Sequence, residues 1–249
     1  MISINKIRSN LKNAKTSIGT WMQIPSSEIA EILSASRSYD WIVIDMEHGS
    51  FTRDQLPNIV RSIENYSVLP FVRLQTNHPY SVKNVVDCGF KGFIVPMIEN
   101  INQLDKIQDS ILYPPKGNRG VGFSRSNQYG VNFKSSIEND IQPFFVAMIE
   151  TKLGLENLEE ILSADYLDAI IIGPYDLSAS LGVCGDFESN IFKEAIDNIK
   201  SLCYKFETPF GIHLVEPSNL KLKKLIEDGA KFIPFSMDTV MLSSLKPEL

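Results

Sequence analysis

Short apolar runs rich in β-branched residues alternate along the chain with longer segments in which apolar residues recur at helical spacing. Eight such runs are present, at residues 19–24, 41–46, 70–74, 92–97, 143–150, 168–173, 209–214 and 231–236. Each run is nearly continuous in apolar residues rather than alternating, which is typical of strands buried on both faces of a parallel sheet. The pattern therefore predicts a strand followed by a helix, repeated along the whole chain.

Helix start and stop signals lie between these runs. Ser26 precedes EIAEILSAS, Ser218 precedes NLKLKKLIEDG, and Gly229 ends the latter segment. The 249 residues contain no long linker or low-complexity tract, so we predict a single α/β domain over residues 1–249, a (β/α)8 TIM barrel. An open doubly wound sheet is the structural alternative, and it usually has fewer strands.

Composition and charge narrow the class of partner. The chain has 24 Lys and Arg against 30 Asp and Glu, a formal net charge of -6, so it lacks the basic footprint that nucleic acid or an anionic membrane surface requires. The longest apolar runs, such as FIVPMI from Phe93, cover about a third of the roughly 18 residues needed to span a bilayer. Three cysteines without a CxxC pair, and a charged start without an apolar core, predict a cytoplasmic protein with reduced thiols.

Polar residues cluster where the predicted strands end. In a TIM barrel the C-terminal ends of the strands form the active-site face. The residues at these ends are Asp45, Glu47, His48, Arg73, Glu150, Asp176 and His213. We therefore expect the chemistry of the protein to lie among them.

Glu150 and Asp176 are 26 residues apart, which is one strand-helix repeat. Neighbouring parallel strands lie about 4.8 Å apart, so two carboxylates at equivalent heights can share one divalent cation. Ligation by oxygen alone favours Mg²⁺ or Mn²⁺ over zinc. The alternative is a pair of solvated loop acids.

His48 and Arg73 are the candidates for proton transfer and charge stabilisation. A neutral imidazole at a strand end is suited to general base catalysis near neutral pH, whereas a packed structural role is the alternative for a single His. Arg73 lies within the apolar run PFVRL, where a guanidinium is costly unless an anion meets it. It could bind an acidic substrate or stabilise an enolate oxygen, and the structural alternative is a buried salt bridge to Asp45 or Glu47.

The sequence lacks the residues that Schiff-base chemistry and nucleotide binding require. No Lys stands at the end of a predicted strand, and only Lys152 lies near, which favours metal over Schiff-base chemistry. Neither GxxxxGK[ST] nor GxGxxG is present, so a nucleotide site is unsupported.

With these residues in place, the sequence resembles the HpcH/HpaI family of class II pyruvate-dependent aldolases, from about Gly19 to Leu242. The segments that carry the resemblance are GTWMQIPS, DWIVIDMEHG, PFVRLQTNHP, VDCGFKGFIVPMIEN, YPPKGNRGVG, MIET, DAIIIGPYDLSASLG and MDTVML. The resemblance implies a TIM barrel of the phosphoenolpyruvate/pyruvate-binding type. It also implies reversible, metal-dependent retro-aldol cleavage of a 4-hydroxy-2-oxo acid to pyruvate and an aldehyde.

The resemblance also implies roles for individual residues. Glu150 and Asp176 would hold a divalent metal that chelates pyruvate, and His48 would be the acid/base. Asp87 would raise the basicity of His48, and Arg73 would stabilise the enolate. The residues implied in substrate binding are Arg73, Pro174, Tyr175 and Asp176. Backbone amides around the last three would bind the pyruvate carboxylate.

One departure and two alternatives accompany the resemblance. The family commonly has Gln two residues before its metal-binding Glu, and this chain has Met148, which cannot make the same hydrogen bond. The alternative functions are an acyl-CoA ester lyase of the same superfamily, and a barrel that binds pyruvate or oxaloacetate without catalysis.

The expected partners are a small-molecule substrate and further copies of the chain in a hexamer or trimer. His213, Arg119 and Arg125 are candidates for the distal end of a substrate whose aldehyde part the sequence does not identify.

Overall fold

A computed structural model describes residues 3–138 and 142–245. Its strands are β1 Ser17–Met22, β2 Trp41–Asp45, β3 Leu69–Arg73, β4 Gly92–Val95, β5 Phe144–Ile149, β6 Ala169–Ile172, β7 Phe210–Ile212 and β8 Phe232–Met237. They pair in parallel in the order β7-β6-β5-β4-β3-β2-β1-β8. Leu214 bridges to Phe235, and the Lys231 amide donates to the Phe210 carbonyl at 2.8 Å, so the two edges of the sheet meet in a nearly closed barrel.

Helices connect the strands around the outside of the barrel. They are α1 Ile4–Lys12, α2 Ser27–Ala35, α3 Leu56–Glu64, α4 Tyr80–Val85, α5 Ile101–Ile111, α6 Phe133–Glu138, α7 Lys152–Glu156, α8 Leu158–Leu162, α9 Pro174–Ser180, α10 Asn190–Lys205, α11 Asn219–Glu227 and α12 Asp238–Ser243. Ser26 accepts a hydrogen bond from the Ile29 amide and Ser218 one from the Lys221 amide, as the start signals predict. The predicted (β/α)8 barrel and its strands are confirmed.

Aromatic side chains fill the barrel interior near the N-terminal ends of the strands. Trp41 stacks on Phe232 with ring centroids 4.3 Å apart, and Phe144 stacks on both Phe232 and Phe71 at 5.1 and 5.5 Å. Gly19 makes room for this layer, because a Cβ atom there would lie 2.1 Å from the indole of Trp41. The interior is therefore a packed core near the N-terminal ends of the strands.

Helix α1 covers this end of the barrel. Ile7 and Leu11 are buried against the aromatic layer. Arg8 donates from Nε and Nη2 to the two carboxylate oxygens of Asp168 at 2.6 and 2.8 Å, and from Nη2 to the Pro143 carbonyl at 2.9 Å. A bidentate ion pair thus fixes the helix to the residue that precedes β6.

We expect Asp168→Ala to lower the free energy of unfolding by roughly 2 to 3 kcal/mol, because it removes an acceptor shared by Arg8 and the Phe145 amide. Urea unfolding followed by circular dichroism measures this change. Glu138→Ala is the control, since it breaks an exposed ion pair with Lys134 and should change the free energy by less than about 0.5 kcal/mol. Equal stability of the two variants would contradict a fixing role for Asp168.

None of the helices within residues 3–138 and 142–245 is both long enough and apolar enough to cross a lipid bilayer.

Candidate active site

An ion pair between β2 and β3 lies at the centre of the candidate site. Asp45 and Arg73 are register partners at the ends of these strands. Arg73 donates from Nε and Nη2 to the Asp45 carboxylate at 2.8 and 2.7 Å, and its Nη1 lies 3.0 Å from the Glu47 carboxylate. The salt-bridge alternative for Arg73 is thus present with both acids. Because Asp45 is fully buried and Arg73 is 7% exposed, the pair is shielded from water.

The guanidinium of Arg73 is fixed on its other sides as well. Its centre lies 4.5 Å from the Trp21 ring, and Nη1 lies 4.0 Å from the Met148 sulfur. Burial acts to lower the pKa of Arg73, but the hydrogen bonds and charges of Asp45 and Glu47 outweigh it, so the net pKa is raised. Arg73 is therefore a permanently charged and preorganised group.

Asp45 accepts hydrogen bonds from several directions. Besides Arg73, the backbone amides of Glu47 and His48 donate to Oδ1 at 3.1 and 3.2 Å, and Gln23 Nε2 donates to Oδ2 at 3.0 Å. Burial acts to raise the pKa of Asp45, but these donors and the charge of Arg73 together hold it below its ordinary value. Asp45 is therefore ionised and connects Arg73 to the turn that carries His48.

Glu150 lies directly after β5 and is 2% exposed. Its Oε1 accepts a hydrogen bond from the Met97 amide at 2.7 Å. Burial raises the pKa of Glu150 to about 7, and the charges of Glu47 and Asp176 raise it further, whereas the Met97 bond and the charge of Arg73 only partly oppose this. The structure thus brings Asp176, in the first turn of α9, within electrostatic range of Glu150.

Gly173 provides the space that Glu150 occupies. A Cβ atom at Gly173 would lie 2.6 Å from Glu150 Oε2 and 3.0 Å from its Cβ. A larger residue at the start of α9 would displace the carboxylate. The glycine therefore permits the end of β6 to approach Glu150 closely.

The candidate site combines four acidic side chains, Asp45, Glu47, Glu150 and Asp176, with one cation, Arg73. Arg73 is bound by Asp45 and Glu47, so Glu150 and Asp176 remain without a positive partner in the part of the chain described. Within that same part, no group of three or more acidic, His or Cys side chains forms a complete metal cage. Two carboxylates whose remaining positions are taken by water or substrate oxygens fit a hard divalent cation. The raised pKa of Glu150 follows mainly from burial, and the charge of Arg73, already paired with Asp45 and Glu47, only partly offsets it.

Lys152 does not suit imine chemistry. Its side chain is 65% exposed, and Nζ lies 3.9 Å from the Glu156 carboxylate. A Schiff-base lysine needs a desolvated amine. The exposed ammonium therefore gives no support to a covalent mechanism.

His48 and Asp87 lie apart within the chain. His48 is exposed in the turn after β2, with its backbone amide bonded to Asp45. Asp87 precedes β4, at the opposite end of the barrel, where it accepts from Arg119 at 2.9 Å and from Ser124 at 3.1 Å. The structure of one chain therefore does not pair Asp87 with His48, and the role implied for Asp87 stays a prediction.

The three candidates for the distal end of the substrate also separate. Arg119 is bonded to Asp87, and Arg125 donates to the Cys88 carbonyl, so both lie near the N-terminal end of β4. His213 lies after β7 with its ring centroid 5.3 Å from that of Trp21. Burial and the charge of Arg73 lower the pKa of His213 to about 4, so it is neutral beside the site at neutral pH.

Sequence reasoning missed residues at the ends of strands β1 and β8. Trp21 contacts the Arg73 guanidinium, Gln23 donates to Asp45, and Asp238 accepts from the Gln23 and Ile24 amides at 2.9 Å each. The strand-end rule that selected the other candidates applies equally to these two strands. Applied there, it would have pointed to Gln23 and Asp238.

Comparisons with known proteins identify the family to which the chain is similar. The family model described as HpcH/HpaI aldolase/citrate lyase matches residues 17–244. A hydroxypyruvate/pyruvate aldolase of Roseobacter denitrificans is 31% identical over 96% of this chain and 93% of its own length. A 2-keto-3-deoxy-L-rhamnonate aldolase of Salmonella gallinarum is 31% identical over 95% of this chain and 88% of its own. The crystal structure of an HpcH/HpaI aldolase/citrate lyase family protein from Burkholderia cenocepacia superimposes with a TM-score of 0.89 at 25% identity, covering 96% of this chain and 95% of that one. With this barrel, these strand ends and a match over nearly the whole sequence, the chain belongs to the HpcH/HpaI aldolase/citrate lyase family.

Proposed function

We propose that the protein is a divalent-metal-dependent aldolase that reversibly cleaves a 4-hydroxy-2-oxo acid to pyruvate and an aldehyde. The observation that carries the proposal is a buried carboxylate, Glu150, that forms no salt bridge within the described residues and lies near Asp176 and an immobilised Arg73. The relatives that are named as aldolases are 31% identical to this chain, and they support the same reaction class.

Glu150 and Asp176 are the residues that would hold the metal, with Mg²⁺ or Mn²⁺ favoured by oxygen ligation. When bound, the ion would supply Lewis-acid polarisation of the 2-oxo group. The two carboxylates form no salt bridge in the described part of the chain, and Gly173 leaves room for Glu150; both observations support this assignment.

Arg73 stabilises the negative charge that develops as the C3–C4 bond breaks. In that step the bonding electrons pass to the 2-oxo oxygen, which gives the enolate of pyruvate, and C4 becomes the aldehyde carbon. Because Asp45 and Trp21 already fix the guanidinium, it needs no reorganisation when the charge appears.

His48 removes the proton from the 4-hydroxyl and returns a proton to C3 of the enolate. Its exposure at the end of β2 leaves the imidazole accessible to substrate and solvent. The carboxylate of pyruvate binds the backbone amides at the start of α9, where Tyr175 and Asp176 have N–H groups and Pro174 contributes only its fixed φ angle. A homo-oligomer, hexamer or trimer, remains part of the proposal.

Pyruvate release from a panel of racemic 4-hydroxy-2-oxo acids tests this function, with NADH consumption by lactate dehydrogenase as the readout. We expect release with Mg²⁺ or Mn²⁺, and none in EDTA. Borohydride with pyruvate should trap no adduct, and a trapped adduct would instead indicate a lysine imine. Metal-dependent binding of oxalate without any pyruvate release would replace the aldolase by a barrel that only binds 2-oxo acids.

A further inference from the structure

Gln23 is fixed at both ends of its side chain and along its backbone. Its Nε2 donates to Asp45 at 3.0 Å, and its Oε1 accepts from the Thr239 hydroxyl at 3.0 Å. Its backbone amide donates to Asp238 at 2.9 Å, and its carbonyl accepts from the Ser50 amide at 3.2 Å. An acceptor at one end of the carboxamide and a donor at the other fix its orientation, with the NH2 group toward Asp45.

The register of the barrel places this residue next to the catalytic charges. Met22 pairs with Ile44 across β1 and β2, so Gln23 follows in line with Asp45, which pairs in turn with Arg73 on β3. The polar side chains Gln23, Asp45 and Arg73 therefore form one row across three neighbouring strands. Thr239, in α12 after β8, extends the row on its other side.

Gln23 has a distinct position among the donors to Asp45. Oδ1 receives Arg73 Nε and two backbone amides, whereas Oδ2 receives Arg73 Nη2 and Gln23 alone among the described residues. Without Gln23, Oδ2 would keep a single donor, and the buried carboxylate could rotate away from the plane that matches the guanidinium fork. Geometry matters here because an Arg–carboxylate pair is strongest when both hydrogen bonds are formed together.

We propose that Gln23 is a positioning residue for the aldol reaction, which holds Asp45 and thereby the Arg73 guanidinium in the orientation that stabilises the enolate, and that Thr239 fixes its carboxamide. This inference rests on the proposed function. Gln23 itself does not contact the reacting atoms.

Removal of the side-chain hydrogen bonds gives the first test. Gln23→Leu should lower kcat for pyruvate release roughly tenfold with little change in KM, because the lost contact acts on charge that develops in the transition state. Thr239→Val should lower kcat in the same direction, and the double variant should lose less than the product of the two losses because both changes act on one contact. Gln55→Leu, which removes a glutamine side chain that caps the Thr52 amide, is the matched control and should leave kcat unchanged.

The pH profile of Gln23→Glu separates positioning from a general loss of structure. The charged groups near the new carboxyl are Asp45 from β2, Asp238 from α12, which accepts from the Gln23 backbone amide, and Arg73 from β3, whose charge Asp45 already pairs. The two acids should raise the pKa of the introduced group, and only its protonated form can donate to Asp45. The kcat of this variant relative to wild type should therefore rise as the pH falls from about 8 to about 5.5, whereas a merely structural defect would give a constant ratio.

The outcomes distinguish the inference from the proposed function. Active wild-type protein together with full kcat in Gln23→Leu, or a ratio for Gln23→Glu that does not change with pH, would overturn the positioning role alone. Wild-type protein that neither releases pyruvate from the panel nor exchanges the methyl protons of pyruvate with deuterium would overturn the aldolase and the role of Gln23 with it. The positioning role of Gln23 would be established by three results together. These are a reduced kcat in Gln23→Leu, a less-than-multiplicative loss in the double variant and recovery of Gln23→Glu at low pH.

Discussion

Arg73→Ala is expected to lower kcat for pyruvate release by roughly 100 to 1,000-fold, the loss typical for removing one preorganised donor to a developing oxyanion. The guanidinium is the only cation in the cluster of Asp45, Glu47, Glu150 and Asp176 within the residues described. A water molecule in its place would supply no charge and would have to reorganise during the reaction. Steady-state kinetics with saturating metal measure this loss.

The same substitution also affects stability. Asp45 is fully buried, so loss of Arg73 leaves an uncompensated charge that typically costs about 3 to 5 kcal/mol. Arg73→Lys is therefore the companion variant, since it keeps a positive charge near Asp45 but cannot form the bidentate pair and reach Glu47 together. We expect a folded protein with strongly reduced kcat. Wild-type kcat in Arg73→Lys would show that charge alone, without the fork geometry, is sufficient, and wild-type kcat in Arg73→Ala would remove Arg73 from the mechanism.

Glu150→Gln is expected to abolish metal-dependent turnover while it stabilises the metal-free protein above about pH 7. The folded-state pKa of Glu150 is raised from 4.5 to about 7, so protonation favours the folded state. Stability from this group is fully present below the unfolded pKa and is lost as the pH rises through the folded value. The difference corresponds to at most about 3 kcal/mol between about pH 4.5 and about pH 8 in the absence of metal.

Denaturant unfolding in EDTA and in Mg²⁺ or Mn²⁺ measures this effect. Metal should restore stability to the wild-type protein at about pH 8, by about 2.7 kcal/mol at 100 times the dissociation constant, and should not affect Glu150→Gln. Glu156→Gln changes an exposed carboxylate in the next helix and serves as the control. Identical pH dependence in wild type and Glu150→Gln would contradict a pKa of Glu150 raised by burial in the folded protein.

The fold was predictable because the strands of a parallel barrel are apolar on both faces. WIVID and AIII are buried at every position in the structure, as continuous apolar runs require. The residues that close such strands lie on one face by topology alone, which is why Arg73, Glu150 and Asp176 could be grouped from sequence.

The remaining parts of the site depend on contacts that sequence spacing does not encode. The Arg73–Asp45–Gln23 row requires the register of β1, β2 and β3, and a bulge near Gly19 and Trp21 sets where β8, and with it Thr239, meets β1. The location of Asp87 at the other end of β4 follows from the start of that strand, since the short turn at Val86–Cys88 precedes it. Resemblance to a family gave Asp87 a role, but it gave no distance to His48.

The layer of stacked rings formed by Trp41, Phe71, Phe144 and Phe232 divides the barrel into two compartments. The Arg8–Asp168 pair lies below this layer and the Arg73–Asp45 pair lies above it, without a shared side chain. Substitutions in separate, noncontacting groups usually add in free energy. Substitutions around the Arg8–Asp168 pair should therefore change stability, and substitutions around the Arg73–Asp45 pair should change specificity. We expect the two effects to be independent of each other.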